Sequence, residues 1–84
     1  MDLKDTIELM TSADWKDRFK AEYLQLKIRY NKLHKMIIRR EAGMNDFCTP
    51  ISLDSWMNQA WFMGMYLFEL EKQAAIHGID LPEV

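Results

Sequence analysis

The chain has 84 residues, 11 Lys or Arg against 13 Asp or Glu, a formal charge of −2 and 49% hydrophobic residues. These totals describe one small domain, whose core leaves much apolar surface accessible and which therefore gains from association. A lone cysteine, Cys48, excludes an intrachain disulfide, and the longest apolar run, Ala60 to Phe68, falls well short of the roughly 20 residues that cross a bilayer.

Charge is unevenly placed. From Ala13 to Ala42 nine basic residues face four acidic ones, a balance of +5, and the remainder of the chain carries −7. The plain consequence is a basic helix set against an acidic remainder, with solvated ion pairs worth about 0–1 kcal/mol each. A sharper consequence is a positive surface that meets an anionic ligand. Double-stranded DNA is not the expected partner. The chain as a whole is acidic, and Arg18, Arg29, Lys32 and Arg40 fall on a different flank from the other cations.

The opening residues, MDLKDTIELM, place acids where a secretion signal places basic residues before an apolar stretch, so none is expected. Residues 3–10 suit a short helix with Leu3, Ile7 and Met10 on one side. Eight residues do not hold a helix alone in water, so this segment must dock. Thr11 and Ser12 interrupt it, and Ser12 is the expected N-cap of the next helix.

A second helix is predicted over about 13–42. Trp15, Phe19, Tyr23, Leu26, Tyr30, Leu33 and Ile37 recur at steps of three and four, the spacing of one helix face. Asp14 and Asp17 lie at the positive end of its dipole, and Arg39 and Arg40 at the negative end. Gly43 is the expected C′ residue. Leu24 and Ile28 fall off this seam and are expected at a subunit contact.

After a connection at Gly43–Thr49, a third helix is predicted over about 52–77. It is capped by Thr49 ahead of Pro50, or by Ser52, and closed by Gly78 with Ile79 behind it. Leu53, Trp56, Ala60, Met63, Leu67, Leu70 and Ala74 form one apolar seam. At about 100° per residue, Met57, Trp61, Met65 and Phe68 fall on the opposite side and are equally apolar. A helix apolar on two sides needs two neighbours. One is in this chain, and the other is expected to be a second copy, with Met57, Trp61, Met65, Phe68, Leu24 and Ile28 at the oligomer interface.

Catalytic chemistry has little footing. There is no Gly-rich phosphate loop, no His pair at metal-ligand spacing, and no Ser, His and Asp set of recognisable spacing. Cys48 with His34 and His77 shows no zinc-site pattern, and Cys48 is expected to be a small buried hydrophobe in a reducing cytoplasm. No metal or cofactor is expected. His77, in the last turn of the third helix, favours the helix dipole. Binding has more to draw on. Lys16, Lys20, Lys27, Asn31 and His34 lie along one flank of the long helix, bordered by the edges of Tyr23 and Tyr30. Ammonium groups beside aromatic faces suit phosphorylated ring systems, although lysine stems beside an apolar seam are also ordinary.

The pattern DWKDRFKAEYLQLKIRYNKLHKMI (14–37), a turn, then TPISLDSWMNQAWFMGMYLFELEKQ (49–73) resembles the small helical-hairpin proteins of tailed phages, crAss-like phages included. Their second helix carries Gln, Met, Tyr and Leu, here Gln59, Met63, Tyr66 and Leu70. Within that group the chain looks like the anti-CBASS sponges, hexamers that sequester cyclic oligonucleotide alarm signals in the cytoplasm of the infected bacterium. The resemblance implies a long-helix lysine on the phosphates and an aromatic on the base. The stretch QLKIRYNKLHKMI (25–37) places that lysine at Lys27, and Trp15 is the nearest aromatic, although Ser12 occupies the aligned position.

The expectation is thus an all-α protein: a short N-terminal helix and an antiparallel two-helix hairpin, oligomeric and non-enzymatic. It would bind a cyclic di- or trinucleotide through Lys27, Trp15, Lys16, Lys20, Tyr23 and Asn31. The alternative is an interaction module whose Trp61, Met65 and Phe68 anchor a host or phage protein.

Overall fold

The computed structural model describes residues 1–44 and 46–84. The fold is all-helical, and there is no strand among the described residues. A 3-10 turn, Leu3–Thr6, runs into a single α-helical turn, Ile7–Met10 (α1). The long helix is Trp15–Glu41 (α2) and the third is Leu53–His77 (α3). The 27 residues of α2 span about 40 Å at 1.5 Å each, which accounts for the longest molecular dimension of 43 Å.

The N-cap of α2 is Asp14 rather than Ser12. The Asp14 carboxylate accepts from the Lys16 backbone N–H at 3.0 Å. A carboxylate at this position also meets the positive end of the dipole, which a hydroxyl does not. Ser12 sits two residues upstream, where its hydroxyl accepts from the Asp14 N–H and donates to Asp17 at 2.9 Å.

Helix α2 ends as its glycine requires. Gly43 takes φ +80°, and the Met44 N–H reaches back to the Arg39 carbonyl at 3.1 Å. The start of α3 settles on Ser52, whose hydroxyl accepts from the Ser55 N–H at 3.1 Å. Its end repeats the glycine device. Gly78 lies at φ +65°, the Ile79 N–H bonds the Ala74 carbonyl at 2.8 Å, and the Ile79 side chain is buried behind it.

Two clusters join α2 and α3. Near the open end of the hairpin, Tyr23, Leu24, Leu67 and Leu70 pack with Phe19, Leu26 and Tyr30. Near the connection, Leu33, Ile37 and Trp56 pack with Phe47, Leu53, Ala60 and Met63. The connection itself is held by side chains: the Phe47 ring meets Trp56 edge-on at 5.4 Å, Arg40 lies over the same indole at 4.8 Å, and Arg39 pairs with Asp46. With Phe47 turned inward, Cys48 points outward and is exposed, contrary to the burial expected of it.

The short N-terminal segment docks on α2, as its length demands. Thr6 is fully buried, donating to the Leu3 carbonyl at 2.7 Å and accepting from the Gln25 amide at 2.9 Å. Leu9 from α1 and Leu81 from the C-terminal tail complete the cover over the Leu24 cluster. This corrects one expectation. Leu24 and Ile28 are buried by their own chain, at 0% and 5% exposure, and offer no surface to a second copy.

Candidate ligand-binding groove

The inner seam of α3 is used as its spacing requires, with Trp56, Leu67, Leu70 and Ala74 buried against α2. Its outer seam has no cover. Met57, Trp61, Met65 and Phe68 stand between 44% and 68% exposed, with Phe62 at 69% beside them. Scattered exposed apolar side chains are normal, but a contiguous aromatic patch marks a contact surface.

Between this outer seam and the edge of α2 runs a groove of about 720 Å³. It is lined by Trp61, Met65 and Phe68 with Met57, Ala60 and Gly64 of α3 and Tyr30 of α2, and Tyr66 and Glu69 bring polar groups. The two helices are also linked by two tyrosine–carboxylate contacts. The Tyr66 hydroxyl donates to Glu22, and the Tyr23 hydroxyl donates to Glu71 at 3.5 Å. The Glu22 hydrogen bond raises the Tyr66 pKa above the usual phenol value. For Tyr23 burial is the larger cause, with the negative charge of Glu71 adding to it.

On α2 the Lys27 ammonium lies 5.6 Å from the centre of the ring of Tyr30, which lines the groove. The other face of the α2 row is extended by His34, stacked on Tyr30 at 6.0 Å with the two planes 16° apart. A cation, a π surface and an apolar trough therefore meet in one place. Charge takes phosphate, and flat apolar walls take rings.

The other residues expected at the site are dispersed. Tyr23 is buried at 7% exposure between α2 and α3, so its ring belongs to the core and offers no face to a ligand. Trp15 is half exposed at the start of α2, packed edge-on against His77 at 5.1 Å with Lys16 6.0 Å from its ring. Twelve residues of helix, about 18 Å, separate Trp15 from Lys27, so one chain does not present both to one base and its phosphate. Lys20 is half-buried between those positions. Asn31 opens instead on a smaller hollow of about 330 Å³, lined with Ile28, Lys32 and Lys35 of α2 and with both chain ends.

Tyr30, Gly64 and Glu69 were not among the expected ligand residues, yet they line the groove. For Gly64 a signal was there but was not read: a glycine in the middle of a strongly apolar helical run, where alanine is more favourable by about 1 kcal/mol.

The fold is thus a small all-helical hairpin with an uncovered aromatic groove. Residues 13–76 match the family described as Sequestin, and the chain belongs to that family. No curated relative and no solved structure matches it. The family name itself denotes sequestration, which agrees at that level with the expected sponge. No helix among the described residues is long and apolar enough to cross a membrane.

Proposed function

We propose that this chain is a phage anti-defence protein. In this reading it forms a homo-oligomer in the cytoplasm of the infected bacterium, binds cyclic di- or trinucleotide immune signals, and withholds them without cleaving them. The observation that carries the reading is the Lys27 ammonium beside the Tyr30 ring at the edge of the α3 groove. The groove volume falls inside the 300–1,000 Å³ range of small-molecule sites, and membership of the Sequestin family supports withholding rather than turnover. Capture needs no reacting group, only a place for rings and a charge for phosphate. A second copy laid on Trp61, Phe62 and Phe68 would roof the groove and bury the bound signal between subunits.

Native mass spectrometry of the purified protein, alone and with cyclic di- and trinucleotides, tests this directly. The expected result is a defined oligomer that gains whole numbers of one intact nucleotide. In the same assay Lys27→Ala is expected to lose at least about 1.5 kcal/mol of binding, near the lower range for a hydrogen bond to a charged group, with assembly unchanged. Cleaved nucleotide, or wild-type affinity in Lys27→Ala, would overturn the reading of the site. A second reading is favoured by the exposure of Trp61 and Phe62: docking of a foreign protein on the same stripe. A concentrated sample that stays monomeric and takes up no nucleotide is its expected signature.

A further inference from the structure

The uncovered side of α3 has an order of its own. Met57, Trp61, Gly64 and Phe68 recur at steps of four, three and four, so they form a second seam, roughly a third of a turn around the helix from the buried one. Three of these side chains are large and exposed, and the fourth residue is a glycine. Gly64 has no positive φ, and a Cβ built there would meet only the Tyr30 ring edge at 3.8 Å, an ordinary van der Waals separation. Its own chain therefore has room for alanine, which the helix favours. What the glycine leaves open is a seat on the outer seam, next to Trp61.

Opposite charges close the two ends of this seam. Asp54 stands one turn before Met57, and Lys72 one turn after Phe68, with its ammonium 5.1 Å from the centre of the Phe68 ring. The two residues are about five full turns apart and so share one flank of the helix. Asp54 has no ion-pair partner among the described residues. Lys72 pairs with Glu69 of its own helix at 2.8 Å, an exposed and screened contact that uses only part of the ammonium's donor capacity.

We propose that α3 pairs antiparallel with α3 of a second copy, Trp61 of each copy seated over Gly64 of the other. The proposal deepens the homo-oligomer of the reading above and rests on that part of it. A two-fold axis that sets residue 61 against 64 also sets 57 against 68, so Met57 covers the facing Phe68 ring. In an antiparallel pair like flanks face each other, and this register brings Asp54 of each copy within one residue of Lys72 of the other. A parallel pair would set glycine against glycine, leaving a void, and each end charge against its own like. At roughly 200 Å² per large side chain, the exposed shares of Met57, Trp61, Met65 and Phe68 come to about 450 Å² per copy. With Asp54 and Lys72 added, the pair covers about 1,000 Å², the lower limit for a specific interface. Because Tyr30 borders Gly64, the second copy's Trp61 lies beside Tyr30, whose ring carries Lys27. The second copy thus supplies the indole that Trp15 stands too far away to provide.

Disulfide trapping of the full chain reads the register. In a Cys48→Ser background, Met57→Cys and Phe68→Cys chains are oxidised with diamide, separately and as an equimolar mixture. The expected result is a mixed disulfide in the mixture and little cross-linking of either chain with itself. Sedimentation then reads the charges and the seat. Asp54→Lys and Lys72→Asp are each expected to weaken self-association at least threefold, and the two together to bring it back to within threefold of the wild type. That recovery separates a contact between copies from a mere effect on the helix ends. Gly64→Ala is expected to weaken self-association at least fivefold with helix content unchanged in circular dichroism. Efficient self-linking of Met57→Cys, no mixed disulfide, no recovery in the charge swap, or normal assembly of Gly64→Ala would each overturn the proposal and leave an oligomer of another geometry standing. A wild type that stays monomeric would remove the oligomer as well.

Discussion

Trp61 separates assembly from folding more cleanly than any other residue. It is 68% exposed on the single chain, so replacing it leaves the α2–α3 packing untouched. A tryptophan side chain has up to about 250 Å² to bury. The exposed share is therefore about 150 Å² or slightly more, worth ~4 kcal/mol at 25 cal/mol per Å² if a second copy covers it. Rotational and translational costs of association are common to wild type and variant, so they cancel in the difference. Trp61→Glu forfeits that burial and adds the desolvation of a carboxylate. The expected outcome is a weakening of self-association by roughly a thousandfold per site.

Sedimentation velocity at micromolar concentration reads the result, with circular dichroism as the control for folding. The expected pattern is a shift from oligomer to monomer with unchanged helix content. An oligomer of unaltered sedimentation coefficient would refute the assignment of this face, because no arrangement that buries the indole tolerates a carboxylate at that cost. Loss of helix content would refute a different step, the inference that the outer seam plays no part in the hairpin core.

Other perturbations act on the folded chain itself. Leu67, 4% exposed between Tyr23, Leu24 and Leu70, is expected to cost about 2–5 kcal/mol when replaced by alanine; urea unfolding in the monomeric Trp61→Glu background measures it without interference from assembly. The two tyrosines make stability fall on the alkaline side. Their folded pKa values are raised above the unfolded value near 10. Their contribution is therefore complete below pH 10 and is lost as pH rises through the higher folded values. Melting temperature is expected to decline above pH 10, and Tyr66→Phe with Tyr23→Phe to flatten that decline; an equally steep fall in the double variant would count against the Glu22 and Glu71 contacts.

Much of the fold was legible because helix periodicity is a local signal. The inner seam of α3 could be read at steps of three and four, and the glycines at positions 43 and 78 stand at positive φ where the ends of α2 and α3 need them. Burial by short irregular segments was not legible. Leu24 and Ile28 looked unpartnered because nothing in their spacing shows that α1 and the C-terminal tail fold back over α2. Cys48 failed for a similar reason, since which side of a connection faces inward depends on Phe47 finding Trp56. For the site, the flank of lysines was visible on a helical projection, but their convergence was not. A projection collapses the axis: it set Lys16, Lys20, Lys27 and Asn31 on one flank although Asn31 opens on another hollow, and Trp15, which came from the resemblance, stands about 18 Å from Lys27 along α2.

That axial separation bears on how a protein this small would hold a cyclic signal. A cyclic dinucleotide has two bases on opposite sides of one phosphate ring, and a single groove accommodates one of them. The second base must be met by another surface, and each copy brings an identical groove with Lys27 at its edge. If two copies meet across Trp61 and Phe68, a two-fold axis supplies the second groove in the orientation a two-fold symmetric ligand needs. Binding and assembly would then be coupled, since the ligand contacts both copies only when they are together. The measurable consequence is reciprocal: a saturating cyclic dinucleotide should tighten the self-association of a partly weakened Trp61→Leu variant, and Lys27→Ala should abolish that tightening without altering assembly in the absence of ligand. Sedimentation of the two variants with and without nucleotide distinguishes the cases, and nucleotide uptake with no change in association would place the ligand within one copy rather than between two.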